Sequence, residues 1–299
     1  MKIVTKSTGS WYELLDQQTL EFSKARLRGA LRLRGSRSTN PVVVGDFVTT
    51  EGQGEDMVIA QIEPRRNYII RRSSNLSKES HILAANIDRV YIVSTVSFPM
   101  TSPEFIDRIL VTAELYSIPS TIIINKCDVE GLEDYLSEIY QMAGYPVIRL
   151  SALTGEGVDQ LRAEIAGRTV LFTGNSGVGK STLINAIDPS IKARTGNISA
   201  AHLKGKHTTT FSEIFRFGEG FLIDTPGVKG FGLVELKPDE LYRSFPDLMH
   251  FASGCQFHNC SHTHEPRCAV VDALERGLIH PSRYESYLKM MEDDKVKYR

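Results

Sequence analysis

Over residues 1–72 apolar positions come in short runs with no convincing helical period. The runs are Trp11-Tyr12-Glu13-Leu14-Leu15, Phe22 to Leu27, Asp46 to Thr50, Met57 to Ile62 and Tyr68-Ile69-Ile70, punctuated by Gly9-Ser10, Gly52-Gln53-Gly54 and Pro64. Short runs bounded by turn residues predict strands, and about five in so short a region predict a small barrel of the OB or SH3-like kind. From residue 73 the pattern changes. Arg89–Ser94, Thr121–Ile124, Pro146–Leu150 and Val170–Phe172 read as buried strands. Between and after them Phe105, Ile106, Ile109, Leu110 and Ala113 form one helical face, then Leu132, Leu136, Ile139 and Ala143, then Val158, Leu161 and Ile165, then Leu183, Ile184, Ala186 and Ile187. Ser102-Pro103 is a helix start, and Gly144 and Gly167 are stops. Alternating strand and helix predict a parallel α/β sheet with ligands at the carboxyl ends of its strands. Further on, Val270, Val271 and Leu274, then Tyr284, Tyr287, Leu288 and Met291, predict short helices after Gly254 and Pro281. The expected division is a barrel at 1–72, an α/β domain at 73–231 and a helical domain at 232–299.

Composition narrows this little. The chain has 299 residues, 41% hydrophobic and 24% charged, as in ordinary globular proteins. No segment approaches the roughly 18 apolar residues of a membrane span, and the first ten residues lack the apolar core of a signal peptide. A cytoplasmic protein without membrane contact, and no more than a monomer, is expected. The net charge of −1 predicts no partner, but its distribution does. Residues 1–72 hold 12 Lys/Arg against eight Asp/Glu. Between Phe22 and Gly45 no residue is acidic, while Lys24, Arg26, Arg28, Arg32, Arg34 and Arg37 are basic. Lys24, Arg26 and Arg28 alternate and so share one face of a strand. Arg65, Arg66, Arg71 and Arg72 add to the positive balance. This surface suits a nucleic-acid backbone, RNA above all. The plainer alternative is a solvated basic face.

The apolar run Val170-Leu171-Phe172 leads into Gly174-Asn175-Ser176-Gly177-Val178-Gly179-Lys180-Ser181, with Thr182 opening the helical pattern. This is G-x-x-x-x-G-K-[ST] between a strand and a helix, the setting of a phosphate loop. Glycines let backbone N–H groups turn inward, and the helix dipole faces the same anion. Lys180 is placed to reach the β- and γ-phosphates and the Ser181 hydroxyl to hold Mg²⁺.

Three further patterns follow predicted strands. Asn125-Lys126-Cys127-Asp128 offers a carboxylate, Asp128, that accepts both the ring N–H and the exocyclic amine of guanine. Lys126 can lie along the base and Asn125 brace the phosphate loop. Ser151-Ala152-Leu153 can offer an N–H to the guanine O6. Asp224-Thr225-Pro226-Gly227 places Asp224 near Mg²⁺ and the Gly227 N–H near the γ-phosphate. A standard GTPase carries these patterns after its phosphate loop, in the order switch threonine, D-x-x-G, N-K-x-D, S-A. Here N-K-x-D and S-A come first, so the sheet is expected to be circularly permuted, which adjacent chain ends permit. The long stretch from Asp188 to Phe211 reads as a switch. In His207-Thr208-Thr209-Thr210, Thr209 is the preferred Mg²⁺ ligand. Val228 stands where a water-orienting Gln is usual and cannot do its work, so His207 is the nearest candidate for a catalytic group. The plainer reading of His207 is a basic loop residue.

Near the end, Cys255-x4-Cys260-x-His262-x5-Cys268 offers three thiolates and an imidazole to a closed tetrahedral Zn²⁺ site. His258 and His264 compete for the fourth place, and His262 is preferred. Cys127 stands far away. Four protein ligands leave no open position, so the metal is expected to be structural and to stabilise a domain too small for a secure core.

A basic barrel, permuted nucleotide patterns and a trailing Cys/His set together resemble the bacterial ribosome small-subunit-dependent GTPase A family, RsgA, over the whole chain. The resemblance implies an N-terminal OB-fold, a central circularly permuted P-loop GTPase domain and a C-terminal, mostly helical zinc-binding domain. It implies a cytoplasmic enzyme that takes GTP to GDP and binds the 30S subunit and its 16S rRNA late in maturation. The subunit would stimulate hydrolysis, which would drive release, and His207 would act in hydrolysis with Lys180 on the phosphates. Two rivals are a GTP-gated RNA-binding module with incidental turnover and a GTPase serving metal delivery; the closed four-ligand set argues against the second.

Overall fold

The computed structural model describes residues 1–8, 11–29, 41–72, 80–129, 134–191, 193, 212–225 and 238–297. The first strands are β1 (Lys2–Ser7), β2 (Tyr12–Asp16), β3 (Phe22–Leu27), β4 (Phe47–Glu51) and β5 (Val58–Ile62). They pair in the order β1-β2-β3-β5-β4, and β1 pairs again with β4. The ring is closed, which leaves no open sheet edge, and its strand order is that of an OB barrel. Val4, Tyr12, Leu14, Ala25, Leu27, Val42, Val48 and Ile59 fill it. On β3 the alternation is plain: Ala25 and Leu27 point in, while Lys24 and Arg26 are exposed.

One strand assignment differs from the sequence pattern. Tyr68-Ile69-Ile70 reads as a barrel strand and Lys2–Ser7 does not read as a strand at all. In the structure Lys2–Ser7 closes the barrel, while β6 (Tyr68–Arg72) pairs with β7 (Ser80–Ala85) in a separate hairpin. The reason is double burial. Val4 packs into the barrel and its neighbour Ile3 into the core of the next domain, so β1 shows no in/out alternation.

The second sheet holds β8 (Arg89–Ser94), β9 (Ser120–Ile124), β10 (Val147–Arg149), β11 (Thr169–Thr173), β12 (Glu213–Phe217) and β13 (Gly220–Asp224). Its order is β10-β9-β8-β11-β13-β12, parallel except for the β12–β13 hairpin. Helices α1 (Pro103–Leu115) and α2 (Tyr135–Met142) cover one face, and α3 (Val158–Ile165) and α4 (Lys180–Ile187) the other. Strand side chains alternate between them: Val90 and Ile92 join the first core, Tyr91 and Val93 the second. Burial on both faces explains why these strands read as unbroken apolar runs. Ser102 caps α1 by accepting from the Phe105 N–H at 3.4 Å, and Asp134 caps α2 through the Ser137 N–H at 3.0 Å. Lys6 of β1 pairs with Glu213 of β12 in register and in charge, joining barrel and sheet.

A 3-10 segment (Pro238–Ser244), α5 (Pro246–Ala252), α6 (Ala269–Glu275) and α7 (Pro281–Lys297) build the C-terminal unit. Its core, with Phe245, Leu248, Val270, Ile279, Tyr287 and Met290, takes in Val111 of α1. Helix α1 therefore lies between the sheet and the C-terminal unit. Among the described residues no helix is long and apolar enough to cross a membrane.

Candidate active site and metal centre

The chemistry gathers at the carboxyl ends of β8, β9, β10, β11 and β13. After β11 the chain turns through Gly174 to Gly179 into α4. Gly174 has φ +148°, and a Cβ there would sit 2.2 Å from the Val93 carbonyl oxygen. Gly179, at the N-cap with φ +94°, would put a Cβ 2.4 Å from Asn125 Nδ2. Both positions need glycine for space as well as backbone conformation. Between them run Asn175, Ser176, Gly177 (φ +84°) and the buried Val178; Ser181 and Thr182 are half-buried in the first turn of α4. Lys180 is 7% exposed and its ammonium donates to the Gly174 and Asn175 carbonyls, both at 2.8 Å. It lies folded back over a loop whose carbonyls a phosphate oxygen could replace.

Burial brings Lys180 down to about 8, with Asp224 opposing. Burial also pushes Asp224 up to about 6, with Lys180 opposing. Asp224 Oδ1 is buried and has no hydrogen-bond partner among the described residues. An orphaned carboxylate oxygen beside a phosphate loop fits the hydrated, oxygen-ligated shell of Mg²⁺.

A second group closes around the first. Asn125 is 3% exposed; its Nδ2 donates to the Val178 carbonyl at 2.8 Å and its Oδ1 accepts from the Ala152 N–H at 2.9 Å. One amide thus ties the phosphate loop to the loop after β10. Lys126, at φ +69°, donates to the Gly177 carbonyl at 3.0 Å and to the Phe98 carbonyl at 2.5 Å. Burial lowers its ammonium, with Asp128 opposing. Asp128 is exposed, and its Oδ1 accepts from Ser151 Oγ at 2.5 Å. Ser151 Oγ in turn accepts from the N–H groups of Leu153 and Thr154, at 3.3 and 3.1 Å. The Asp128 carboxylate is therefore aimed by a hydroxyl that the backbone itself orients.

Two of these contacts are missed from sequence. The Phe98 carbonyl has no motif, because it is a backbone atom presented by the loop after β8. Ser151 enters through its side chain as well as through a backbone N–H. His207, Thr209 and Gly227, with Val228, lie outside the described residues, as does most of the stretch read as a switch.

The metal-ligand set comes together as well. The ligand atoms of Cys255, Cys260, His262 and Cys268 lie within 4.8 Å of one another. Cys255 Sγ and Cys268 Sγ are 3.9 Å apart, and each is 3.5 Å from His262 Nδ1. A tetrahedron with Zn–S of about 2.3 Å and Zn–N of about 2.0 Å has edges of roughly 3.8 and 3.5 Å, so this donor set fits zinc. The knuckle is built for it. Glu265 accepts from the N–H groups of Ser261, Thr263 and His264, at 2.8, 3.2 and 3.3 Å. Burial would raise this carboxyl, but hydrogen bonds from the Ser261 side chain and from the backbone of Ser261, Glu265 and His264 outweigh it and hold it below the usual range. His262 sits at φ +58° with its carbonyl held by the Tyr284 hydroxyl at 2.6 Å.

The basic face of the barrel is thinner than the composition suggests. Arg65 makes a two-pronged ion pair with fully buried Asp46, at 2.7 Å on both oxygens, and so serves the fold. Arg66 pairs with Asp88 at 2.6 Å and Arg28 with Glu51 at 2.9 Å. Arg32, Arg34 and Arg37 lie outside the described residues. Lys24 and Arg26 have no ion pair among the described residues.

The comparisons agree with this architecture. A family model described as RsgA GTPase matches residues 62–234, and one described as RsgA N-terminal domain matches residues 3–58. The chain is 50% identical to a Bacteroides fragilis protein named Small ribosomal subunit biogenesis GTPase RsgA, over 99% of this chain and 98% of that one. It is 48% identical to a Porphyromonas gingivalis protein of the same name, with the same two coverages. Among solved structures, YjeQ from Thermotoga maritima superposes with a TM-score of 0.74 at 33% identity, over 98% of this chain and 97% of that one. YloQ, described as a circularly permuted GTPase, superposes with a TM-score of 0.72 at 26% identity, over 99% and 95%. With a closed five-strand barrel, a permuted nucleotide sheet and a Cys/His cluster in one chain, the protein belongs to the RsgA GTPase family and is a GTP hydrolase.

Proposed function

We propose that this GTPase acts in the cytoplasm in biogenesis of the small ribosomal subunit, binding the 30S particle through its 16S rRNA late in maturation, as a monomer. GTP hydrolysis is stimulated by the subunit and drives release. The units involved are an N-terminal domain carrying the barrel (1–72), the GTPase domain (73–231) and the zinc-binding unit (232–299). The names of the relatives support the partner. The observation that carries the nucleotide chemistry is Asn125, whose one amide links the phosphate loop at Val178 to the base loop at Ala152.

In this reading guanine is read by Asp128, aimed by Ser151, with Lys126 along the base. The triphosphate lies over the N–H groups of Gly174 to Thr182, and Lys180 leaves its loop carbonyls for the phosphate oxygens. Ser181 and Thr209 would hold Mg²⁺, with Asp224 beside it, and the Gly227 N–H would meet the γ-phosphate. Water attacks in line, and His207 acts where Val228 cannot. Cys255, Cys260, His262 and Cys268 would hold one structural Zn²⁺.

The test is GTP hydrolysis by the full chain alone, with 30S and with 50S subunits, for wild type and His207→Ala. The expected result is a many-fold rise with 30S only, lost in the variant without loss of GTP binding. An unchanged rate with 30S defeats the partner assignment; normal stimulation of the variant defeats the histidine.

A further inference from the structure

Trp11 is the only tryptophan in the chain. It stands just before β2, and Arg26 of β3 lies over its ring with the guanidinium carbon 4.2 Å from the ring centroid. The pair borders a groove of about 750 Å³ on the outer face of the barrel, shared with Thr8, Glu13, Lys24 and Glu55. Glu13 and Lys24 face each other across the β2–β3 ladder. Elsewhere in the N-terminal region Arg28, Arg65 and Arg66 are engaged by Glu51, Asp46 and Asp88. Among the described residues Lys24 has no side-chain partner and the Arg26 guanidinium meets only the indole.

This combination selects its ligand. A half-buried indole at the groove with a guanidinium over its ring offers stacking to a flat base, but a duplex buries its base faces, so only an unstacked base can use it. The Lys24 ammonium and the Arg26 charge suit the phosphates on either side. Glu13 and Glu55 would repel a phosphate inside the groove, yet each can accept from an exocyclic amine. Cytosine, adenine and guanine carry that amine; uracil presents a carbonyl oxygen.

We propose that this groove seats one unpaired nucleotide of RNA. Its base stacks on the Trp11–Arg26 pair with an amino group toward the carboxylates, and its phosphate meets Lys24. The inference rests on the reading of the barrel as an RNA-binding surface and deepens it, by naming a single-stranded ligand and the side chains that take it.

The lone tryptophan makes the test direct, because its fluorescence reports on the groove alone. Full-length protein is titrated with hexacytidylate, hexauridylate and a blunt RNA duplex. Hexacytidylate quenches the indole, hexauridylate binds more weakly, and the duplex leaves the emission unchanged. With labelled hexacytidylate followed by anisotropy, Trp11→Ala loses about 10-fold in affinity with its salt dependence intact, the loss expected of one base stack, and Trp11→Phe recovers most of it. Lys24→Gln instead lowers the slope of log K against log salt by about 0.7, one single-strand phosphate contact. No quenching by hexacytidylate, equal quenching by the duplex, or full affinity in Trp11→Ala overturns the proposal. Equal affinity for hexauridylate removes the carboxylates from it. Sedimentation of the wild type with 30S subunits separates the two readings. If 30S binds and hexacytidylate does not quench, the groove assignment fails and the ribosomal reading stands. If 30S does not bind but hexacytidylate quenches, the reverse holds. Loss of 30S binding in Trp11→Ala, with no single strand bound by wild type, would give the groove to a ribosomal protein or a duplex and also overturn the proposal.

Discussion

Arg283 of α7 donates to Asp107 of α1 at 2.5 Å, and neither side chain has any exposed surface. The same guanidinium forks onto Asp247 of α5 at 2.8 and 3.0 Å. It is ringed by Phe245, Tyr145 and Tyr140, with centroids 4.7, 5.6 and 5.9 Å away. The Tyr140 hydroxyl also donates to Asp107, at 3.0 Å. A planar donor with five N–H groups is the side chain that can serve two carboxylates at once while stacked among rings. This cluster locks the C-terminal unit, which carries the Cys/His cluster, to the helix that packs beneath β8.

Breaking such a cluster costs more than the cluster stabilises, because the partners are left charged and buried. Arg283→Ala should therefore lower unfolding free energy by about 3–5 kcal/mol, and Asp107→Ala by a similar amount. Replacing Arg283, Asp107 and Asp247 together by apolar residues of like volume should recover most of the loss. Denaturant unfolding followed by fluorescence and circular dichroism checks this. A single variant within about 1 kcal/mol of wild type would show that water reaches the cluster and relieves the unpaired charge.

Asp128 carries the base selectivity in the proposed site, with Ser151 aiming it at 2.5 Å. Asp128→Asn keeps one acceptor but turns a donor toward the purine amine. GTP affinity should fall at least 100-fold, while xanthosine triphosphate, with a carbonyl at that position, should bind better than GTP. Competition against a fluorescent guanine nucleotide measures both. Unchanged preference for GTP would place the base elsewhere.

The pH dependence follows from Asp224, raised by burial from 3.8 to about 6. Between those values the folded protein holds a proton that the unfolded chain has released. That contribution to stability is complete below the lower value and is lost as pH rises through about 6. In the proposed site the Asp224 carboxylate faces Mg²⁺, so Mg-nucleotide affinity should fall as pH drops below about 6 in wild type. It should be weak and flat over the same range in Asp224→Asn. Lys180 is lowered by burial from 10.5 to about 8, so its contribution runs the other way: present at high pH and lost as pH falls through about 8. Calorimetric titration of Mg-GDP across this range decides the point; a wild-type affinity that holds down to pH of about 4, the ordinary carboxyl range, would mean Asp224 does not titrate in the site.

The Cys260 thiol, pushed up to about 12 first by burial and then by the cysteines beside it, is poorly ionised without a cation to face. Cys260→Ser should lose the metal, and chelation of wild type should release one zinc per chain. Structural zinc in small peptides is worth about 10–16 kcal/mol of apparent binding energy, so its loss should unfold the unit around it. Hydrogen exchange should then rise over α6 and α7, while the barrel and the sheet from β8 to β13 keep their protection. Full zinc content in Cys260→Ser would remove this residue from the ligand set.

What the sequence determines by itself is what lies close along the chain. Gly174 to Lys180 announce a phosphate loop because backbone conformation and lysine reach are set within seven residues of one another. Cys255 to Cys268 announce a metal set for the same reason, and unbroken apolar runs such as Thr121–Ile124 announce strands covered on both faces. Tertiary structure alone decides what depends on residues far apart. Asn125 meets Val178 across 53 positions, Ser151 aims Asp128 across 23, and Arg283 finds Asp107 across 176. It also gives the barrel its closing strand to Lys2–Ser7 rather than Tyr68–Ile70, since Ile3 and Val4 serve two different cores. It turns Arg65 from an apparent RNA contact into the partner of buried Asp46. A charge in the sequence carries no record of whether it will be spent inward or left free. Packing settles that, because a buried carboxylate must be paired before any cation is available to a ligand.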